Sequence, residues 1–199
     1  MNAKKLSFLL LILVAVACTN RSTSSEQDEM RHWNNVLQQI NALLLENKAR
    51  QTLDLAKQTL PEILESAEKN GTTDTLIYYA RKIFNACGNN YINTKQYKDG
   101  IDYMDSIGNH PLIREHCPHE LLSFKAGLNQ LYGNNPEAVR LAEDYLQLPV
   151  CTSANDFIRQ AEIISGVYMY SGNNLPKAIQ ILEKAIDVYR KGGNFPNML

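Results

Sequence analysis

One near-repeat constrains the fold of this chain more than any other feature. Gly133-Asn134-Asn135-Pro136-Glu137-Ala138-Val139 recurs as Gly172-Asn173-Asn174-Leu175-Pro176-Lys177-Ala178-Ile179, with one residue inserted. Each copy follows an apolar helical stretch and opens another. Glycine ends a helix readily because it tolerates left-handed backbone. The asparagines supply a turn and a cap, and proline fits the first turn of a helix, where its missing N–H costs nothing. Each copy therefore reads as the turn of a helical hairpin. Ala138 and Ala178 stand 40 residues apart. A period of that size points to stacked helical units.

Three- and four-residue apolar spacing predicts eight helices, at about 29–46, 48–69, 74–92, 96–107, 118–132, 136–147, 155–171 and 176–191. In the third, Ile77, Ala80, Phe84, Cys87 and Tyr91 form the expected buried stripe. Thr73 or Asp74 can cap its start. Pro61 is expected to kink or split the second helix. No segment alternates as a strand would.

The N-terminus carries a separate signal. Lys4 and Lys5 precede Leu6–Val16, which is apolar apart from Ser7, and Ala15-Val16-Ala17-Cys18 closes the run with small residues. A bilayer-spanning helix needs roughly 20 apolar residues, so this shorter run reads as the core of a secretory signal. The pattern resembles the bacterial lipoprotein signal. It implies removal of residues 1–17, lipidation of Cys18 and a lipid anchor in the bacterial cell envelope, on the periplasmic face or in the outer membrane. The alternative is an ordinary signal peptide with a cysteine beside its cut. Residues 18–28 are polar after Cys18 and read as a flexible tether.

The full chain has 20 basic and 21 acidic residues, a net charge of −1. That balance argues against nucleic acid, which calls for a basic footprint. Beyond Cys18, Cys87, Cys117 and Cys151 are too few and too widely spaced for a disulfide framework, and Cys87 is expected as a buried thiol. His110, His116, Cys117 and His119 are ligand types, but their spacing matches no established metal site and they read as a polar loop. No nucleophile elbow, phosphate-binding Gly-Lys loop or His-Glu-x-x-His is present, so neither an enzyme nor a cofactor is expected.

The hairpin residues carry a family resemblance. In the last unit, Ser165, Tyr168, Gly172, Ala178, Leu182 and Ala185 fall at the small-aromatic-Gly-Ala-large-Ala positions of the tetratricopeptide repeat, and in the second unit Gly88, Tyr91, Tyr97, Gly100 and Met104 take the corresponding places. Ala126, Gly133 and Ala138 keep part of the pattern, with Asn129 in place of the aromatic, and the first unit keeps Ala49, Leu53 and Ala56. Over roughly residues 30–191 the chain resembles the tetratricopeptide-repeat family.

That resemblance implies an all-α, right-handed helical solenoid of about four hairpins over 29–191, with 192–199 as the start of an incomplete repeat or a frayed tail. It also implies a concave groove, lined by the first helix of each pair, that binds a protein or peptide. The corresponding positions are Lys82, Asn85, Asn89 and Asn93, then Glu120, Ser123 and Gln130, then Arg159, Glu162 and Tyr170. Lys82 and Asn89 suit the family's carboxylate clamp, whereas Glu120 and Glu162 oppose it. The expected function is a membrane-tethered scaffold. The alternatives are the exported sensor region of a signalling protein that continues into a membrane helix and a kinase or DNA-binding output, and a nutrient-binding outer-membrane lipoprotein.

Overall fold

The computed structural model describes residues 27–149 and 154–191, and every regular element among them is an α-helix. The elements are α1 (27–45), α2 (Ala49–Asn70), α3 (Asp74–Asn93), α4 (Tyr97–Ile107), α5 (Pro111–His116), α6 (Pro118–Tyr132), α7 (Asn135–Gln147), α8 (Ala154–Tyr170) and α9 (Leu175–Lys191). The signal segment, Cys18, Cys151 and residues 192–199 lie outside the described residues.

Eight of these helices match the periodic segments to within two residues at each end. α5 is the addition. Six residues are too few to show a helical period. Its start is made locally: Pro111 occupies the first turn, and His110 Nδ1 accepts the Leu112 N–H at 3.2 Å. Two further expectations are corrected. Residues 27 and 28, assigned to the tether, are already helical. Pro61 does not split α2, which runs unbroken from Ala49 to Asn70. Pro61 and Lys57 are both exposed, so the Lys57 carbonyl that loses its helical donor faces water instead of the core. At the start of α3, Thr73 takes the capping role and accepts the Leu76 N–H at 3.2 Å.

Four hairpins follow from four tight turns: α1/α2, α3/α4, α6/α7 and α8/α9. Each turn holds one left-handed residue: Asn47 (φ 56°), Lys95 (φ 57°), Gly133 (φ 95°) and Asn173 (φ 44°). The first three close in the same way. The N–H groups of Lys48, Gln96 and Asn134 reach back to the carbonyls of Leu43, Tyr91 and Asn129, five residues earlier, at 2.8–3.1 Å. The residues just before them bond three residues back, which completes the paired-bond helix ending. The fourth turn contains the inserted residue. Its outer bond runs from the Asn174 N–H to the Tyr168 carbonyl at 2.8 Å, and the left-handed conformation moves from the expected Gly172 to Asn173. Asn174 Oδ1 then caps α9 by accepting the Lys177 N–H at 3.1 Å.

The hairpins pack in chain order. α2 lies on α3, α4 and α3 on α6, and α7 and α6 on α8, while α5 wedges between α3 and α6. Two apolar clusters result. The first gathers side chains from α1 to α6, among them Trp33, Leu60, Phe84, Tyr91 and Phe124. The second runs from α6 to α9 and includes Ala142, Phe157, Ala161, Tyr168 and Ala178. α6 belongs to both, with Phe124 and Leu128 on one side and Ala126 on the other.

Candidate functional site

α3, α6 and α8, the first helices of three hairpins, pack side by side. Small residues set the close approach. A Cβ on Gly88 of α3 would lie 2.4 Å from the Phe124 ring of α6, and one on Gly127 of α6 would lie 2.7 Å from Ile163 of α8. Phe84 and Phe124 meet edge to face, with ring centroids 6.2 Å apart.

The expected groove residues divide by depth. Lys82, Asn93, Arg159, Glu162 and Tyr170 are exposed, and Asn89 and Gln130 are half-buried. Lys82 Nζ stands 5.7 Å above the ring of exposed Tyr78, an aromatic neighbour that sequence spacing did not single out. Asn85, Glu120 and Ser123 are interior. They do not lie on a surface that a partner can touch, so their assignment to the groove is corrected.

For Glu120 the reason is an ion pair. Arg81 of α3 reaches Glu120 of α6 at 3.2 Å and donates to the His116 carbonyl at 2.5 Å. Glu120 is 1% exposed, and Ser123 turns its hydroxyl onto the Glu120 carbonyl at 3.1 Å. A buried carboxylate is tolerated when a cation meets it. Nothing in the spacing of single residues marks this pair, because its two halves lie on different helices.

The residues of the possible metal group have separate duties. His110 Nε2 meets Glu68 at 3.1 Å, His119 Nε2 meets the Pro149 carbonyl at 2.6 Å, and Cys117 is buried beside Arg81 and Glu120. Among the described residues no group of three or more His, Cys, Asp or Glu is placed to hold a metal ion. Cys87 is a free buried thiol, as its place in the stripe predicts, and its Sγ is 3.9 Å from the Tyr103 hydroxyl. Burial pushes both Cys87 and Cys117 up to about 12, so neither offers a thiolate nucleophile near neutral pH. The same desolvation raises Tyr91 and Tyr103, and Lys57 Nζ lies 5.6 and 5.8 Å from their ring centres.

An open cleft of about 630 Å³ lies between α1 and α2. Its polar groups largely satisfy one another: Ser66 donates to Glu29 at 2.9 Å, Lys69 meets Glu65 at 2.5 Å and His32 meets Glu62 at 3.6 Å. The α3–α6–α8 face, by contrast, offers amides, charges of both signs and two exposed tyrosines over three adjacent helices. Such a face can hydrogen-bond an extended chain and stack against its side chains. No described helix is long and apolar enough to cross a membrane. No protein-family model, no curated protein and no solved structure matches this chain.

Proposed function

We propose that this protein is a tetratricopeptide-like scaffold that binds a protein or peptide across the α3–α6–α8 face and performs no chemistry of its own. In this reading the four hairpins form a right-handed solenoid and that face is its concave groove. Lipidated Cys18 tethers it to a membrane of the bacterial cell envelope. One observation carries the reading: three successive first helices stand side by side, with Lys82, Asn93, Arg159, Glu162 and Tyr170 exposed and Asn89 and Gln130 half-buried. The shared turn geometry of the first three hairpins also supports it. Nucleic acid does not fit the balanced charge.

The test is capture from solubilised membranes with the whole chain. A specific partner is expected, and Lys82→Ala with Tyr170→Ala should release it without changing the helical circular dichroism. A partner retained at full strength by that double variant sinks the groove assignment. For the tether, Cys18→Ser should move the protein from the membrane to the soluble fraction. A chain that carries no acyl group on Cys18 by mass spectrometry would rule out the lipid anchor.

A further inference from the structure

The four hairpin turns share one edge of the molecule, and that edge has its own chemistry. The 71–73 loop makes α2 and α3 antiparallel neighbours, which brings the start of α2 beside the end of α3. Gly100, near the start of α4, sits so close to α6 that a Cβ there would lie 3.0 Å from Leu128. Ser171 in the last turn donates to Asn135 Oδ1 at the start of α7, at 2.8 Å. The turns therefore line up, hairpin after hairpin.

Three of the four first helices end in an exposed apolar pair: Leu44-Leu45, Leu131-Tyr132 and Met169-Tyr170. These six make up most of the ten large apolar residues exposed among the described residues, and Leu45 and Tyr170 are 86% and 72% exposed. Short loops at the opposite edge, 71–73 and 108–110, contribute none. The charge is biased as well. From two residues before each turn to two residues after it, Lys48, Arg50, Lys95 and Lys98 face a single acidic residue, Glu46, in a chain whose net charge is −1. Glu46 pairs with Lys48 at 2.6 Å, and Lys98 pairs with Asp102.

We infer that this turn edge is a contact surface for an anionic phospholipid bilayer. Leucine and tyrosine at projecting tips suit the boundary between headgroups and acyl chains, where an apolar body and a polar tip are both satisfied. Lysine and arginine between them complement anionic headgroups. A row of separate tips on three of the four turns matches a broad flat partner better than a single groove. The turn edge shares Tyr170 with the α3–α6–α8 face and otherwise uses different residues.

Tryptophan placed on and off the edge tests it in the whole chain. Tyr170→Trp and Tyr78→Trp both replace an exposed tyrosine, and native Trp33 is buried. On vesicles of phosphatidylglycerol and phosphatidylcholine in equal parts, with brominated acyl chains, Tyr170→Trp should be quenched several-fold more than Tyr78→Trp. Adding Leu45→Gln and Lys95→Glu should remove most of that difference. On phosphatidylcholine alone it should shrink. Equal quenching at the two positions overturns the inference. So does a Tyr170→Trp signal that shifts with protein concentration and ignores lipid, which would assign the edge to a second copy. Fractionation of Cys18→Ser combined with Leu45→Gln and Lys95→Glu reports on the anchor by itself, so the two failures are distinguishable.

Discussion

The core shared by α1 to α6 has alanine at four of its 22 buried apolar positions, while the core shared by α6 to α9 has it at six of 13. The first fills the space between helices with Trp33, Phe84, Tyr91, Met104 and Phe124, and the second brings helices together over Ala138, Ala142, Ala161, Ala178 and Ala185. A large side chain in a dense core leaves a hole when it is cut back; a small one leaves no room when it grows. The extra helix α5, the Arg81–Glu120 pair and both described cysteines also lie in the first half, while the irregular turn lies in the second. The half with the clearest sequence repeat is the one packed by alanine, because a repeated close approach needs a repeated small residue.

The two cores should therefore fail in opposite ways. Phe124→Ala should be the most damaging change, costing about 3–5 kcal/mol in urea unfolding. Gly88→Ala alone should also destabilise, through its clash with that ring, and the pair together should cost less than the sum of the two. Strict additivity would show that Gly88 is not there to seat Phe124. In the other half, Ala161→Leu should cost about 1–3 kcal/mol by overpacking. A neutral or stabilising result would mean the second core has slack.

Alkali should act on the first half as well. Cys87 and Cys117 hold their protons up to about 12 when folded, against an ordinary value of 9.0. The folded state thus keeps protons that the unfolded state gives up. Their contribution is complete below pH 9 and is lost as pH climbs from there toward 12, by about 1 kcal/mol per thiol over the first unit. Urea midpoints measured on either side of pH 9, with and without Cys87→Ala, check this. At neutral pH both thiols should resist iodoacetamide until urea is added. Native labelling at Cys87 would contradict its burial. The smallest effect belongs to the turns. Gly133→Ala has open space around the new methyl group but keeps φ at 95°, so it should cost about 1 kcal/mol. Asn173→Gly should be mildly stabilising, since that turn already places a non-glycine residue at φ 44°.

Much of the helical layout was legible in the chain because it is written locally. Apolar spacing located eight helices, and Gly133 with its following asparagines and Pro136 located a turn. The inserted residue in the fourth turn was visible too, but which residue would go left-handed was not. Gly172 and Asn173 both tolerate that conformation, and the register of the longer loop chose between them. α5 was missed because it is shorter than the period that reveals helices. The candidate face was legible only in part. Lys82, Arg159, Glu162 and Tyr170 are accessible, yet Glu120, Ser123 and Asn85 sit in the interior.

The sequence by itself determined that this chain is helical, where its hairpins turn and that Ala80, Phe84, Cys87 and Tyr91 of α3 are buried, because each of these depends on residues within a few positions of one another; Ile77 of the same stripe is only half-buried. Only the tertiary structure decided which polar positions face water. Glu120 is a surface residue by type and an interior one in fact, since α6 lies against Arg81 of α3 and an ion pair replaces hydration. The turn edge was decided at the same level. Leu45, Tyr132 and Tyr170 end helices far apart in the chain, and only the stacking of one hairpin on the next puts them in a row.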